Sequence, residues 1–137
     1  MSNAIFVIGR ILAVLVFIGS GLGHLTDKNM VGYAQFKKIP SAALAVRLSG
    51  VLLLAGAAGI VLGIWGDLAA VLSALLVLIM TITMHNFWTL EDAQAKQMDM
   101  IMFMKNIAMI GGLLVIAWAY SNGGGASLVD PVWGAAG

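Results

Sequence analysis

The chain has no cysteine, two prolines and few charges: of 137 residues, 7 are Lys or Arg and 6 are Asp or Glu. Without thiols it has no disulfide, no Cys-ligated iron–sulfur cluster and no thiol-exchange chemistry of its own. No Walker-type or dinucleotide Gly-rich fingerprint follows a strand, so phosphate-cradling folds are set aside. No nucleic-acid partner is expected.

The shortage of charge decides the solvent. Only 9% of residues are charged while 61% are hydrophobic, and the mean hydropathy is +1.02. Soluble domains are about a quarter charged, because their surfaces face water. The apolar residues also fall in blocks rather than amphipathic stripes: Ala4 to Leu25, Ser41 to Trp65, Leu68 to Trp88 and Met98 to Tyr120. Each is long enough to cross a hydrocarbon core of about 30 Å as a helix. Backbone polar groups must be paired inside lipid, so helix is the form each block takes. The expected fold is an all-α integral membrane protein, an antiparallel four-helix transmembrane bundle. Residues 1–120 form the four-span domain and 121–137 a flexible Gly-rich tail, with Trp133 as an anchor or partner contact. The first block is read as a retained span rather than a cleaved signal peptide.

Basic residues in the loops orient the bundle. Lys28, Lys37 and Lys38 lie between spans one and two and Lys96 between spans three and four, whereas the opposite loops have none. In an inner membrane this places loops 26–40 and 89–97 in the cytoplasm and both termini outside. Within 26–40, Met30, Tyr33 and Phe36 recur at near-helical spacing and predict a short interfacial helix. Glycines at 19, 21, 23, 50, 56, 59, 63, 111 and 112 predict close helix contacts; Gly59 to Gly63 is a GxxxG pattern, assigned first to packing within the chain and second to homodimerisation.

Ionisable residues in apolar runs need a reason. Depth counting at about 1.5 Å per residue places His24, Arg47, His85, Asp99 and Lys105 in one half of the membrane. Asn86 and Asn106 join them as hydrogen-bond partners, and the seven form a candidate ligand-binding or polar network. Arg10 is another embedded charge, near the opposite face and within snorkelling reach. No catalytic residue and no metal site is assigned. The run of methionines from Met98 to Met104 is read as soft packing, since no His or Cys joins it at ligand spacing. A quinone carbonyl, a lipid phosphate or an oxyanion suits the layer; a haem between His24 and His85 ranks last.

The segments Gly19-Ser-Gly-Leu-Gly-His-Leu, Pro40, His85-Asn-Phe-Trp88 and Lys105-Asn-Ile-Ala-Met-Ile-Gly-Gly-Leu-Leu114 resemble the DoxX family over nearly the whole chain before the tail. Members of that family are small four-span membrane proteins. Its name comes from a subunit of a terminal quinol oxidase, and it is linked to thiosulfate:quinone oxidoreductase. Other members belong to membrane redox or stress-response assemblies, and distant relatives act as chaperones or cargo receptors. The resemblance implies Arg10, His85 and Lys105 as family-type positions. Where many members carry an acid early in span two, this chain reads Arg47-Leu-Ser-Gly50, a departure that argues against a carboxylate-dependent proton step there. The function expected is an accessory or assembly subunit of a respiratory or redox membrane complex without autonomous catalysis. The alternative is a quinone-binding redox subunit, and a small transporter comes third. The expected partners are the lipid bilayer and a larger membrane complex or a homo-oligomer; no cofactor is required, and quinone or bound lipid is the candidate ligand.

Overall fold

A computed structural model describes residues 2–134. Its helices are α1 (Ser2–Thr26), α2 (Lys28–Phe36), α3 (Ala42–Leu62), α4 (Gly66–Met84) and α5 (Ala93–Ser121), with one 3₁₀ turn at Phe87–Thr89. α1, α3, α4 and α5 are the four expected spans, each long and apolar enough to cross a membrane. α2 is the short interfacial helix, started by Asp27, whose carboxylate accepts from the Asn29 amide at 2.8 Å.

Two boundaries differ from expectation. α4 ends at Met84, and His85 leaves helical geometry (φ −118°, ψ 45°), so His85 and Asn86 lie in a loop rather than on a helix. α5 begins at Ala93, five residues before Met98, because Asp92 caps it by accepting from the Ala95 amide at 2.8 Å. At 29 residues α5 is about 43 Å long, more than a bilayer core needs. Asp99 and Lys105 therefore sit deeper along α5 than the expected span start implied.

α1 packs along α3, α3 against α4 and α4 along α5, while α5 meets α1 only briefly. Glycine sets two of these approaches. A Cβ added at Gly50 would stand 2.8 Å from the His24 Cβ and 2.9 Å from the Gly21 carbonyl oxygen, so α1 and α3 touch backbone to backbone. Gly59 is similarly close to Ala69 of α4, and Gly63 (φ 64°) ends α3 in a left-handed turn. The GxxxG pair thus serves the α3–α4 hairpin. The core runs through Val14, Phe17, Leu53, Ile60, Val77, Leu113 and Tyr120. A smaller cluster of Ala34, Ala42 and Val46 with Met30 and Met84 seats α2 under the bundle.

The tail, expected to be flexible, is hydrogen-bonded to the bundle as far as Trp133. Leu128 and Val129 amides donate to the Leu62 and Gly63 carbonyls at 3.2 and 3.1 Å. The Val132 and Trp133 amides donate to the Asp67 carboxylate at 2.9 and 2.7 Å. A glycine-rich composition predicts freedom in an isolated peptide, but here the α3–α4 turn supplies unpaired carbonyls and a buried acceptor that bind it. Trp65, Trp118 and Trp133 are exposed at this end, and Tyr33, Phe36 and Trp88 at the other. Two aromatic girdles therefore bracket the apolar spans, as at membrane–water interfaces.

Candidate functional site

The loose α1–α5 seam widens, at the α2 end, into a cavity of about 420 Å³. Phe17, Leu53, Val77, Met80 and Met109 form its apolar walls; Ser20, His24, His85, Lys105 and Asn106 give it a polar side, and α2 closes it with Met30 and Tyr33. Val16 and Lys105 border the cavity and are also exposed on the outer surface. The space therefore opens sideways between α1 and α5. At the opposite end the same seam is closed.

A charged cluster backs the polar side. The Lys37 ammonium donates to the Asn86 Oδ1 at 2.8 Å and the Asp99 Oδ2 at 3.2 Å, with Lys37 and Asp99 side chains only 7% and 13% exposed. The other Asp99 oxygen lies 3.3 Å from His85 Nδ1. His85 thus links a buried ion pair to the cavity. His24 Nδ1 pairs with the Ser49 hydroxyl of α3 at 2.8 Å. The edge-to-face rings Phe87, Trp88 and Phe103, with centroids 5.3 to 5.9 Å apart, hold the loop after α4 against α5.

The predicted layer is only partly assembled. His24, His85, Lys105 and Asn106 border the cavity, and Asn86 and Asp99 stand behind His85. Arg47 is a correction: it is exposed on the outer face of α3 and joins none of these contacts, because it shares their depth but points away. Lys105 is exposed, and among the described residues its side chain bonds only to the Met102 sulfur at 3.4 Å, so it borders the cavity without entering the ion-pair cluster. Sequence position marks Lys37 only as a loop charge. α2 carries it inward, and no local pattern distinguishes it from Lys38.

Arg10 is the second correction. Instead of snorkelling, it is 5% exposed and its Nη1 donates to the Tyr120 hydroxyl and to the Ala126 carbonyl. Tyr120, wholly buried, donates to the Ile60 carbonyl. Asp67, read as a turn residue, is also wholly buried. Both buried ionised groups at this end thus take partners from the tail backbone, Arg10 Nη1 a carbonyl and Asp67 two amides, while Arg10 Nε has no hydrogen-bond partner among the described residues. Among the described residues no three His, Asp or Glu side chains converge as a metal-ligand set.

The DoxX family model matches residues 5–86, more than half of the chain. The match spans α1 to α4, including His24, Lys37 and His85, and ends before α5 with Asp99 and Lys105. No curated protein and no solved structure matches the chain.

Proposed function

The chain belongs to the DoxX family, and from that premise we propose that it is an integral membrane subunit that seats a quinone-class head group in the cavity between α1 and α5. One observation carries this reading. A pocket of about 420 Å³ has hydrogen-bonding groups from His24, His85, Lys105 and Asn106 on one side and apolar walls on the other. That division matches an amphiphile with a polar ring and an apolar tail. Its sideways opening suits a ligand dissolved in the bilayer.

The reading assigns the protein to a larger redox complex as an accessory subunit. The charged side chains around the cavity hold and orient a head group, and the chain itself carries no thiol for an electron relay. Lys28, Lys38, Arg47 and Lys96 are exposed at the α2 end, whereas the one basic residue near the tail end, Arg10, is buried. This asymmetry supports an inner-membrane topology with the α2 loop and the α4–α5 loop cytoplasmic and both termini outside. A pure assembly role is the second reading, favoured by the docked tail, which exposes Leu128, Val132 and Trp133.

Purification in mild detergent tests both. Solvent extraction should recover quinone in proportion to protein, or the empty protein should take up an added short-chain benzoquinone with quenching of tryptophan fluorescence. The absorption spectrum should lack a Soret band. Protein that neither carries nor takes up quinone, yet co-purifies with an oxidase or dehydrogenase, would leave the assembly reading in place of the ligand-binding one.

A further inference from the structure

We propose that Lys37, acting through Asp99, positions His85 so that its Nε2 is a hydrogen-bond acceptor in the cavity, and that Ser49 holds His24 in the same state. The cavity then selects head groups that donate from hydroxyls over those that only accept. This inference rests on the ligand-binding reading for its second half alone; the positioning of the two imidazoles stands on geometry.

The assignment follows from counting donors. An ionised carboxylate only accepts. Asp99 gives one oxygen to the Lys37 ammonium at 3.2 Å and the other to His85 Nδ1 at 3.3 Å, so Nδ1 carries the proton. With Nδ1 protonated, the lone pair of a neutral imidazole is on Nε2, which has no partner among the described residues. Lys37 is fixed from three sides: the Asn86 amide oxygen at 2.8 Å, the Asp99 carboxylate, and the Tyr33 ring at 5.6 Å. It therefore anchors the carboxylate rather than competing with His85 for the cavity. Removing its charge would leave Asp99 at 13% exposure without a counterion.

His24 reaches the same state by an independent route. The Ser49 hydroxyl spends its one proton on the Val46 carbonyl at 2.7 Å. Toward His24 Nδ1, at 2.8 Å, it has only lone pairs to offer, so Nδ1 donates and Nε2 again accepts. Two imidazoles, one on α1 fixed by a hydroxyl and one in the loop after α4 fixed by a carboxylate, thus present lone pairs to one cavity. Ser20 of α1, Asp27, Asn29 and Tyr33 at α2, and Lys105 and Asn106 of α5 are the other polar groups that border it. Lys105 and the Asn106 amide can still donate to a hydroxyl oxygen of the same ligand.

The chain has only two histidines, so nitrogen-15 imidazole spectra in lipid nanodiscs read each tautomer directly. Both rings should be protonated at Nδ1 at neutral to alkaline pH. Lys37→Met and Asp99→Leu should turn His85 into a tautomer mixture without moving His24, and Lys37→Arg should restore the wild-type signal. A wild-type His85 protonated at Nε2, or a His85 signal indifferent to both substitutions, overturns the positioning role. Should either variant fail to fold, the wild-type spectrum decides.

The ligand half uses a redox-stable pair, a long-chain 5-alkylresorcinol and its dimethyl ether, titrated into the same nanodiscs. The dihydroxy compound should bind at least roughly tenfold more tightly, since a site built around hydroxyl donors rejects analogues that lack them. Equal affinity overturns the selectivity while leaving the cavity a binding site. Failure of both to bind removes the ligand-binding reading and the selectivity together, and leaves the tautomer result standing.

Discussion

Arg10 and Tyr120 pin α1 to α5 at one end of a seam that is open at the other. The guanidinium donates to the phenol oxygen, the phenol donates to the Ile60 carbonyl of α3, and the cation lies 5.6 and 5.5 Å from the Phe6 and Tyr120 ring centroids. Three helices are thereby joined through one buried chain of polar contacts. A buried cation with no carboxylate partner among the described residues is held by a hydroxyl, a carbonyl and two aromatic faces, each a partial negative charge. The cavity lies at the far end of the same seam, where no such contact draws α1 and α5 together.

Tyr120→Phe should keep the ring packing and remove the link. Arg10 and the Ile60 carbonyl would each lose a buried partner, at a cost of about 1–3 kcal/mol. Thermal unfolding of the detergent-solubilised protein should show a lower midpoint. An unchanged midpoint would mean that water replaces the hydroxyl and that the pin contributes little.

Asp67→Ala should free the tail. Its carboxylate accepts from the Val132 and Trp133 amides at 2.9 and 2.7 Å, and the bonds to Leu62 and Gly63 are its neighbours along the chain. Limited proteolysis should cut the variant within 122–134 much faster than wild type, with the helices intact. Equal cutting rates would show that the Leu128 and Val129 bonds hold the tail unaided.

The glycines divide into two kinds. Gly50→Ala should push α1 off α3, because the new methyl would meet the His24 Cβ at 2.8 Å and backbone oxygen at 2.9 Å; overpacking of this kind costs about 1–3 kcal/mol. Because His24 is the group displaced, ligand uptake should fall with stability. Gly111→Ala and Gly112→Ala have nothing within 4 Å of the added atom and should leave the melting temperature unchanged or raised. Equal behaviour of the three variants in a thermal shift assay would reject this division.

Lys37, not Lys105, should be the sensitive lysine. Lys37→Met strands the Asp99 carboxylate and the Asn86 oxygen, costing about 1–3 kcal/mol or more. Lys105→Met, like Lys96→Met, removes an exposed charge and should change stability by no more than about 0.5 kcal/mol, while weakening any ligand held in the cavity. The reverse order of melting temperatures would place Lys105 in the bundle interior after all.

Much of this fold is legible along the chain. Block length and hydropathy predict four spans, Met30, Tyr33 and Phe36 predict α2, and rise per residue puts His24, His85, Asp99 and Lys105 near one depth. The same counting put Arg47 in the layer and Arg10 near the opposite face within snorkelling reach; Arg47 points outward and Arg10 inward. In a soluble helix a polar stripe marks the outward face. In a span the outer face meets lipid and the inner face meets other helices, so both are apolar and little amphipathic contrast remains to show which way a residue points.

Depth in the bilayer is a property of sequence position, since it follows from helical rise and the length of apolar runs. The sequence by itself therefore determined the membrane environment, the number of spans and the level of the polar layer. Tertiary structure decided the rest: which charges face inward, that α2 carries Lys37 to Asp99, that the tail returns to Asp67 and Arg10, and that α1 and α5 part to leave a cavity. Those contacts join residues as far apart as 116 positions, and each exists only because helix packing orients both partners at once.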